Sequence, residues 1–312
     1  MALTTTLLAL ALQGAAAHPG GLTSLAERPD SRVIASAGWD NAIRVWKMPE
    51  GTLLRTHRGH TDHITGLAYS GDGKILVSSS GDGTIRVWDG ESNRALGSIR
   101  GGTSFLSGVG ISPDGRTIFA SGYDNRVKSW RWPNPGSPVV HIQMPSDAYD
   151  MALSSDGLYV AAVGPDAGIR GTATRTRNAV PPNDFEGQAT RVKFQRGGHW
   201  VVASTMGEQV LGWNLLDGKT FNVSVPGRGQ DADFVGNTHL AVVTYDRQLI
   251  LIEREEYRIE SRLTIPGTDG LDTVLISRDQ KHAFIGDYQG RLFRAALGDA
   301  WGQIVGITPQ PT

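Results

Sequence analysis

The sequence repeats itself about every 42 residues, and this period constrains the fold more than any other feature. Three similar stretches, AGWDNAIRVW, SGDGTIRVWD and SGYDNRVKSW, each place an aspartate in a tight turn before an apolar strand. A fainter version of the pattern continues to the end of the chain. The seven turn markers are Asp40, Asp82, Asp124, Asp166, Gly207, Asp246 and Asp287. Self-similarity at a fixed period of this length indicates a repeat architecture with seven units.

Two columns of apolar residues keep step with these markers. The residues six positions after the markers are Trp46, Trp88, Trp130, Thr172, Trp213, Ile252 and Phe293. Those three positions after them are Ile43, Ile85, Val127, Ile169, Val210 and Leu249, with Gly290 as the exception. Large or β-branched residues at constant spacing predict that every unit places the same strand in the same environment.

One unit contains four short strands. In the second unit the segments ITGLAYS, ILVSSS, TIRVWD and RALGSIR are separated by the turn-forming segments GDGK, GDG and ESN. Four strands in about 42 residues are one blade of a β-propeller. The sequence therefore predicts an all-β fold, a seven-bladed β-propeller of four-stranded antiparallel blades, with residues 18–312 as a single domain.

The second unit also carries a recognisable signature. It opens with GHTDHITGLAYS, which contains Gly59–His60, and its third strand ends in VWD at Trp88–Asp89. In these features the chain resembles the WD-repeat (WD40) propellers. The first three units match well, over roughly residues 17–145, and the last four match mainly in period and apolar columns.

The resemblance gives His60, Ser79, Asp82 and Trp88 a structural role, as a hydrogen-bond network that joins the strands of a blade. A Ser, a His and an Asp in one unit are also the residue types of a hydrolase triad, which is the alternative reading. Ser78 competes with Ser79 for the serine position. The first unit has His18, Asp40 and Trp46, and the third has Ser121, Asp124 and Trp130 but no histidine. Because units four to seven lack the full set, we expect them to rely on apolar packing.

Partners of this family commonly dock on the face of the propeller that carries the marker turns. The candidate partner-binding residues lie just before a marker or just before a first strand, and they are Trp39, His63, Phe105, Tyr123, Asp147, Met206 and Tyr245. Exposed aromatic residues with a few polar neighbours are typical of protein-binding surfaces. The resemblance therefore implies a non-catalytic scaffold for protein–protein interaction and a subunit of a larger assembly. The alternative is an exported propeller that binds a small ligand in its central channel, or an enzyme subunit, with Asp147 and Arg228 converging on the channel.

Composition excludes several other classes of function. The chain has no cysteine, and its 30 basic and 31 acidic residues give a net charge of -1, so no global field attracts nucleic acid. It contains no phosphate-binding loop motif, and we expect no cofactor, metal site or catalytic residue. The pair Asp147 and Asp150 is expected to be solvated. The arginines of RGTATRTR (Arg170, Arg175 and Arg177) are expected on the solvated edge of the fourth blade.

The first 17 residues leave two interpretations open. An apolar run followed by Ala15–Ala16–Ala17 resembles a secretory signal with its cleavage site, although no Lys or Arg precedes it. This pattern favours export or a periplasmic location over the cytoplasm. Alternatively, TTLLALAL supplies the outer strand that closes the ring, as is usual in the family. A self-sufficient last blade, completed by AWGQIVGI at the C-terminus, would leave the N-terminus unneeded for closure. The first stretch is too short for a transmembrane span, and none is expected elsewhere.

Overall fold

The computed structural model describes residues 17–102, 105–166, 168–176, 188–298 and 304–307. These residues form 27 β-strands and no α-helix. The first three blades contain β1 (Leu22–Glu27), β2 (Val33–Gly38), β3 (Ala42–Lys47), β4 (Thr52–Arg58), β5 (Ile64–Tyr69), β6 (Ile75–Ser80), β7 (Thr84–Asp89), β8 (Ala95–Arg100), β9 (Leu106–Ile111), β10 (Thr117–Gly122), β11 (Arg126–Arg131) and β12 (Val139–Gln143). The last four contain β13 (Asp150–Leu153), β14 (Tyr159–Val163), β15 (Ile169–Ala173), β16 (Ala189–Phe194), β17 (Trp200–Thr205), β18 (Gln209–Asn214), β19 (Thr220–Ser224), β20 (Gly229–Val235), β21 (His239–Thr244), β22 (Gln248–Glu253), β23 (Arg258–Thr264), β24 (Leu271–Ile276), β25 (His282–Asp287), β26 (Leu292–Ala296) and β27 (Ile304–Ile307).

The strands form seven separate antiparallel sheets. In each sheet the strands pair in chain order, so every blade is a meander from an innermost first strand outwards. Six sheets have four strands, and the described residues of the fourth blade supply three, β13 to β15. Residues 177–187, which follow this blade's third strand in the chain, lie outside the described part. The seven-bladed propeller predicted from the sequence is confirmed.

Seven hydrophobic clusters hold the blades together, and each cluster lies between two neighbouring blades. The cluster around Trp88, for example, joins the first blade to the second, and the cluster around Trp213 joins the fourth to the fifth. The seventh packs Trp46 and Leu22 of the first blade against Phe284 of the last. Because this last cluster joins the two ends of the series, the blades form a closed ring.

Within the described residues, the last blade has four strands of its own, and no strand of the N-terminal part joins its sheet. The C-terminal strand β27 pairs with β26, with Leu292 opposite Ile307, and so completes the last blade from its own sequence. The first blade is then attached by packing and by the amide of His18, which donates to the carbonyl of Gly290 at 2.8 Å. Of the two predicted modes of closure, the self-sufficient last blade is therefore the one observed. Residues 1–16, and with them most of the proposed signal segment, lie outside the described residues.

The register of the last blade corrects the marker assigned there from the sequence. Ala37 pairs with Ile43 across the first marker turn, and Gly286 pairs with Leu292 across the last one. The two members of each pair are six positions apart in the sequence, and in the first blade the marker Asp40 lies midway between them. The equivalent position of the last blade is Gln289 and not Asp287. The residue after the marker takes a left-handed conformation in both blades, with φ of 59° at Asn41 and 78° at Gly290. The last blade therefore keeps the backbone turn of the repeat without its aspartate, and Tyr288 occupies the place of Trp39.

Candidate functional site

Two faces of the ring are distinguished by their turns. The top face carries the turns between second and third strands and the loops that lead into the first strands. The bottom face carries the turns between first and second strands and those between third and fourth strands. Because every blade has the same strand order, equivalent loops of all seven blades lie on the same face.

A buried hydrogen-bond network holds the top of the second blade. His60 Nδ1 lies 2.8 Å from the carboxylate of Asp82, and His60 Nε2 lies 2.8 Å from Ser78 Oγ. The indole N–H of Trp88 donates to the same Ser78 Oγ at 3.0 Å. A carboxylate only accepts, so Nδ1 of the neutral imidazole donates to Asp82 and Nε2 accepts from the Ser78 hydroxyl. Burial lowers the pKa of His60, which favours this neutral form.

The serine of this network is Ser78, not the Ser79 expected from the sequence. Successive strand residues point to opposite faces of the sheet, so the two serines have different neighbours. Ser79 Oγ bonds to Thr65 Oγ1 at 2.9 Å, and Thr65 donates to the Leu106 carbonyl of the next blade. Ser79 therefore belongs to the contact between the second and third blades rather than to the network.

The first blade repeats the network completely and the third does not. His18 bonds to Asp40 at 2.8 Å and to Ser36 at 2.7 Å, and Trp46 donates to Ser36 at 2.7 Å.

In the third blade, Ala120 occupies the position of Ser78 in the strand register. Ser121, expected in the network, bonds instead to Ser107 Oγ at 2.9 Å. Lys128 replaces the histidine there as the partner of Asp124, and it also donates to the Gly101 carbonyl at 2.6 Å.

An aromatic row crosses the top face above these networks. The His63 ring stacks on the Trp39 ring with centroids 4.2 Å apart and an interplanar angle of 9°. His63 is followed by Phe105 at 5.5 Å, and Phe105 stacks on Tyr123 at 4.4 Å. Tyr149, which sequence reasoning missed, extends the row at 6.2 Å from Tyr123. The aromatic row thus joins the first four blades, and four of the seven predicted partner-binding residues belong to it.

The other three predicted residues lie outside the aromatic row. Asp147 stands close enough to Tyr123 for its charge to act on that phenol, whose pKa is raised by burial, by Tyr149 and by Asp147. Tyr245 makes an edge-on contact with Tyr288, with ring centroids 5.7 Å apart, between the sixth and seventh blades. Met206 is exposed in the fifth blade, and the structure does not join it to either group. Tyr288 was missed because the sequence marker of the last blade was misplaced by two residues.

One comparison with known proteins bears directly on the network and its repeats. The family model for the WD40 repeat, described as "WD domain, G-beta repeat", matches residues 12–47, 51–89 and 93–131. The chain therefore contains three WD40 repeats. The three matches fall on the first three blades, including the two with complete networks. No curated protein is similar enough to the chain to count as a match. Repeats of this kind are consistent with a protein-interaction scaffold.

The central channel of this propeller is lined by charges that the sequence did not predict. Asp150 was expected to be solvated, but its carboxylate accepts from the amides of Met151 and Val192 and so joins the fourth blade to the fifth. Burial raises its pKa to about 6. Asp233 joins the sixth blade to the seventh in the same way, through the amide of Ile276 at 2.9 Å. The later blades of the propeller are therefore not held by apolar packing alone.

Basic residues of β16 cross the channel from the fifth blade. Arg191 donates to the carbonyl of Thr23 in the first blade at 3.1 Å, and it lies 3.4 Å from Asp272 of the last blade. Lys193 pairs with Asp231 at 2.5 Å. The contacts of Arg191 connect the fifth blade, across the channel, to the first and last blades where the ring closes. The structure records no contact between Asp147 and Arg228, the pair proposed from the sequence to converge on the channel.

Two other kinds of site have no candidate within the described ranges. No group of three or more His, Cys, Asp or Glu side chains there is placed to hold a metal ion. No helix in that part of the chain is long and apolar enough to cross a membrane.

Proposed function

We propose that this WD40 propeller is a non-catalytic scaffold that docks a protein partner on its top face. The observation that carries the proposal is the aromatic row of Trp39, His63, Phe105, Tyr123 and Tyr149. Trp39 is 56% exposed and Tyr123 is 45% exposed, although both are large aromatic residues. Exposed aromatic residues on a fixed framework are typical of the hot spots of protein interfaces.

The framework beneath the aromatic row favours binding with little rearrangement. Trp39 and Tyr123 each stand one residue before a marker aspartate, and Asp40 is held by both His18 and Arg44. Stacking between blades also fixes the ring orientations before a partner arrives. A preorganised surface loses less conformational entropy on binding, which favours affinity.

The one triad-like arrangement in the second blade supports a structural rather than a catalytic role. Asp82, His60 and Ser78 have the order of contacts of a hydrolase triad. Ser78 is fully buried, however, and its oxygen already accepts the indole N–H of Trp88. A nucleophile must reach its substrate, so this serine is not placed to attack one.

The test is to identify the partner by affinity capture, purify it, and measure its dissociation constant for matched variants. The double variant Trp39→Ala/Tyr123→Ala should weaken binding by at least about 30-fold, the effect of a single hot-spot truncation that costs about 2 kcal/mol. The control Leu216→Ala/Val305→Ala also removes two exposed apolar side chains, but on the bottom turn of the fifth blade and the outer strand of the last one. It should bind within about threefold of the wild type, because surface changes away from an interface have small effects.

Two results would contradict the proposal. Equal affinities for the wild type and the Trp39→Ala/Tyr123→Ala variant, with both folded, would exclude the aromatic row as the docking surface. Capture of no specific protein from native extract would count against the scaffold itself.

A further inference from the structure

A cavity of about 530 Å³ occupies the central channel and is lined by the inner strands of all seven blades. Its volume lies within the range of about 300–1,000 Å³ that is typical of small-molecule sites. The two halves of its wall differ in chemistry. The second and third blades contribute small or neutral residues such as Thr65, Gly66 and Gly108, whereas the fifth to seventh blades contribute most of the charges.

Most of these charges pair with a partner of opposite sign. Lys193 lies against Asp231, and Arg191 lies against Asp272. The amides of neighbouring strands bind the carboxylates of Asp150 and Asp233. The upper and middle parts of the channel therefore hold few charges that are free to bind a ligand.

The bottom mouth is different, because the carboxylate there binds one guanidinium and one backbone amide and leaves a second guanidinium without a partner. Glu27, at the end of β1, accepts from Arg196 Nη2 at 3.3 Å and from the backbone amide of Arg278 at 2.8 Å. Arg196 also donates to the Ile276 carbonyl at 2.8 Å. Among the residues that the structure describes, the guanidinium of Arg278 has no hydrogen bond and no ion pair, although it lines the cavity.

The electrostatics of this mouth leave one cation without an ion pair. Arg196 pairs with Glu27 and also interacts with the charge of the buried Asp233, whereas Arg278 has no ion pair among the described residues. Burial and the charge of Arg196 lower the pKa of Arg278, while burial raises the pKa of Glu27. Both arginines are exposed at this mouth, and an added anion would reduce the repulsion that Arg196 exerts on Arg278.

We propose that the bottom mouth of the channel binds a small molecule through a carboxylate or phosphate group held by Arg278 and Arg196. The planar guanidinium presents paired N–H donors that match two oxygens of such a group, and these charge-assisted hydrogen bonds are the stronger ones in proteins. The cavity above the two arginines has room for the rest of the molecule. This site lies on the face opposite the aromatic row, so it is independent of the docking proposal.

The experiment measures binding of pyrophosphate and of citrate to the purified protein by titration calorimetry, at constant ionic strength set with NaCl. Arg278→Gln should raise the dissociation constant at least about tenfold, as expected for loss of a charge-assisted hydrogen bond. Glu27→Gln should lower it, because the amide keeps an acceptor for the Arg278 amide but removes the competing charge. Arg262→Gln, on the exposed outer strand of the sixth blade, is the control and should bind like the wild type.

If Arg278 and Glu27 had purely structural roles, their substitutions would not change the dissociation constant of the anion in opposite directions. Arg278→Lys keeps the charge but loses the paired donors, and it should give an intermediate constant if Arg278→Gln fails to fold. The proposal is overturned if neither anion binds the wild type above the NaCl background. It is equally overturned if folded Arg278→Gln, or Arg278→Lys in its place, binds as tightly as the wild type.

Discussion

The indole nitrogen of Trp88 donates to Ser78 Oγ at 3.0 Å, and this contact joins the third strand of the second blade to its second strand. The same serine bonds to His60, so one hydroxyl connects a tryptophan on β7 to a loop on the top face. Asp82 ends the chain of hydrogen bonds in the marker turn, where hydrogen bonds from Thr84 and His60 outweigh burial and hold its pKa at about 2. The network therefore fixes the turn and the preceding loop, which carry the exposed residues of the top face.

Replacing the two neighbouring serines separately tests this assignment. Ser78→Ala leaves the Trp88 N–H and His60 Nε2 buried without a partner, and we expect a loss of about 2–4 kcal/mol in the free energy of unfolding. Ser79→Ala removes one bond to Thr65, which keeps its other bond to Leu106, and should cost about 1 kcal/mol. Urea unfolding of the two variants measures both values. Equal losses, or a larger loss for Ser79→Ala, would contradict the assignment.

His57 predicts a pH dependence of stability. Its side chain is buried beside Trp88, at 4.9 Å between ring centroids, and in the described residues neither ring nitrogen has a hydrogen-bond partner. Burial, together with the charge of Arg55, lowers its pKa to about 4. Between pH 6.5 and about 4 the unfolded chain therefore binds a proton at His57 that the folded protein does not, and stability falls as the pH is lowered.

The variant His57→Leu isolates this effect from the other titrating groups. Leucine binds no proton. The free energy of unfolding of the variant should therefore rise relative to that of the wild type as the pH falls below about 6.5, by at most about 1.4 kcal/mol per pH unit. Urea unfolding of both proteins at pH 7, 6 and 5 gives the difference directly. A difference that stays constant over this range would show that His57 titrates alike in the folded and unfolded states.

The period of the repeat was readable because the same turn recurs with the same backbone conformation. The last blade shows the limit of this reasoning. In the sequence the marker was assigned to Asp287 because this residue is an aspartate. The strand register shows instead that Gln289 is the marker, and the evidence is the pairing of Gly286 with Leu292. Adjacent serines at Ser78 and Ser79 pose the same problem, since a shift of one residue exchanges the two faces of a strand.

The aromatic row and the channel also differ in how far the sequence could predict them. The aromatic row was partly predictable, since Trp39 and Tyr123 occupy equivalent positions of their repeats. The channel was not, because its contacts join residues far apart in the chain. Arg191 contacts Thr23, and Arg278 contacts Glu27, across 168 and 251 residues respectively. No local pattern indicates that side chains from the fifth blade reach the first.

Gly290 predicts that ring closure is sensitive to a single methyl group. A Cβ built at Gly290 would lie 1.5 Å from the carbonyl oxygen of His18, at a φ of +78°. Gly218 is a matched control, because its φ is +72° and a Cβ there meets nothing within 4 Å. Both Gly→Ala changes carry the cost of a left-handed conformation, about 1–2 kcal/mol. Gly290→Ala should cost about 1–3 kcal/mol more, as for overpacking in a buried site.

Urea unfolding of the two glycine variants tests the closure. A larger loss for Gly290→Ala supports a seam held by direct contact between His18 and the last blade. Equal losses for the two variants would mean that this contact does not bear on the stability of the ring.

The most direct test of the scaffold account is site-specific crosslinking from the top face. A photoreactive benzoylphenylalanine placed at position 123 should crosslink one specific protein in native extract, and the same residue at position 39 should crosslink the same protein. Position 216 is the control, because Leu216 is 61% exposed on a bottom turn. We predict crosslinks at positions 123 and 39 and none at 216. Crosslinking of that protein at 216 alone would contradict docking on the aromatic row.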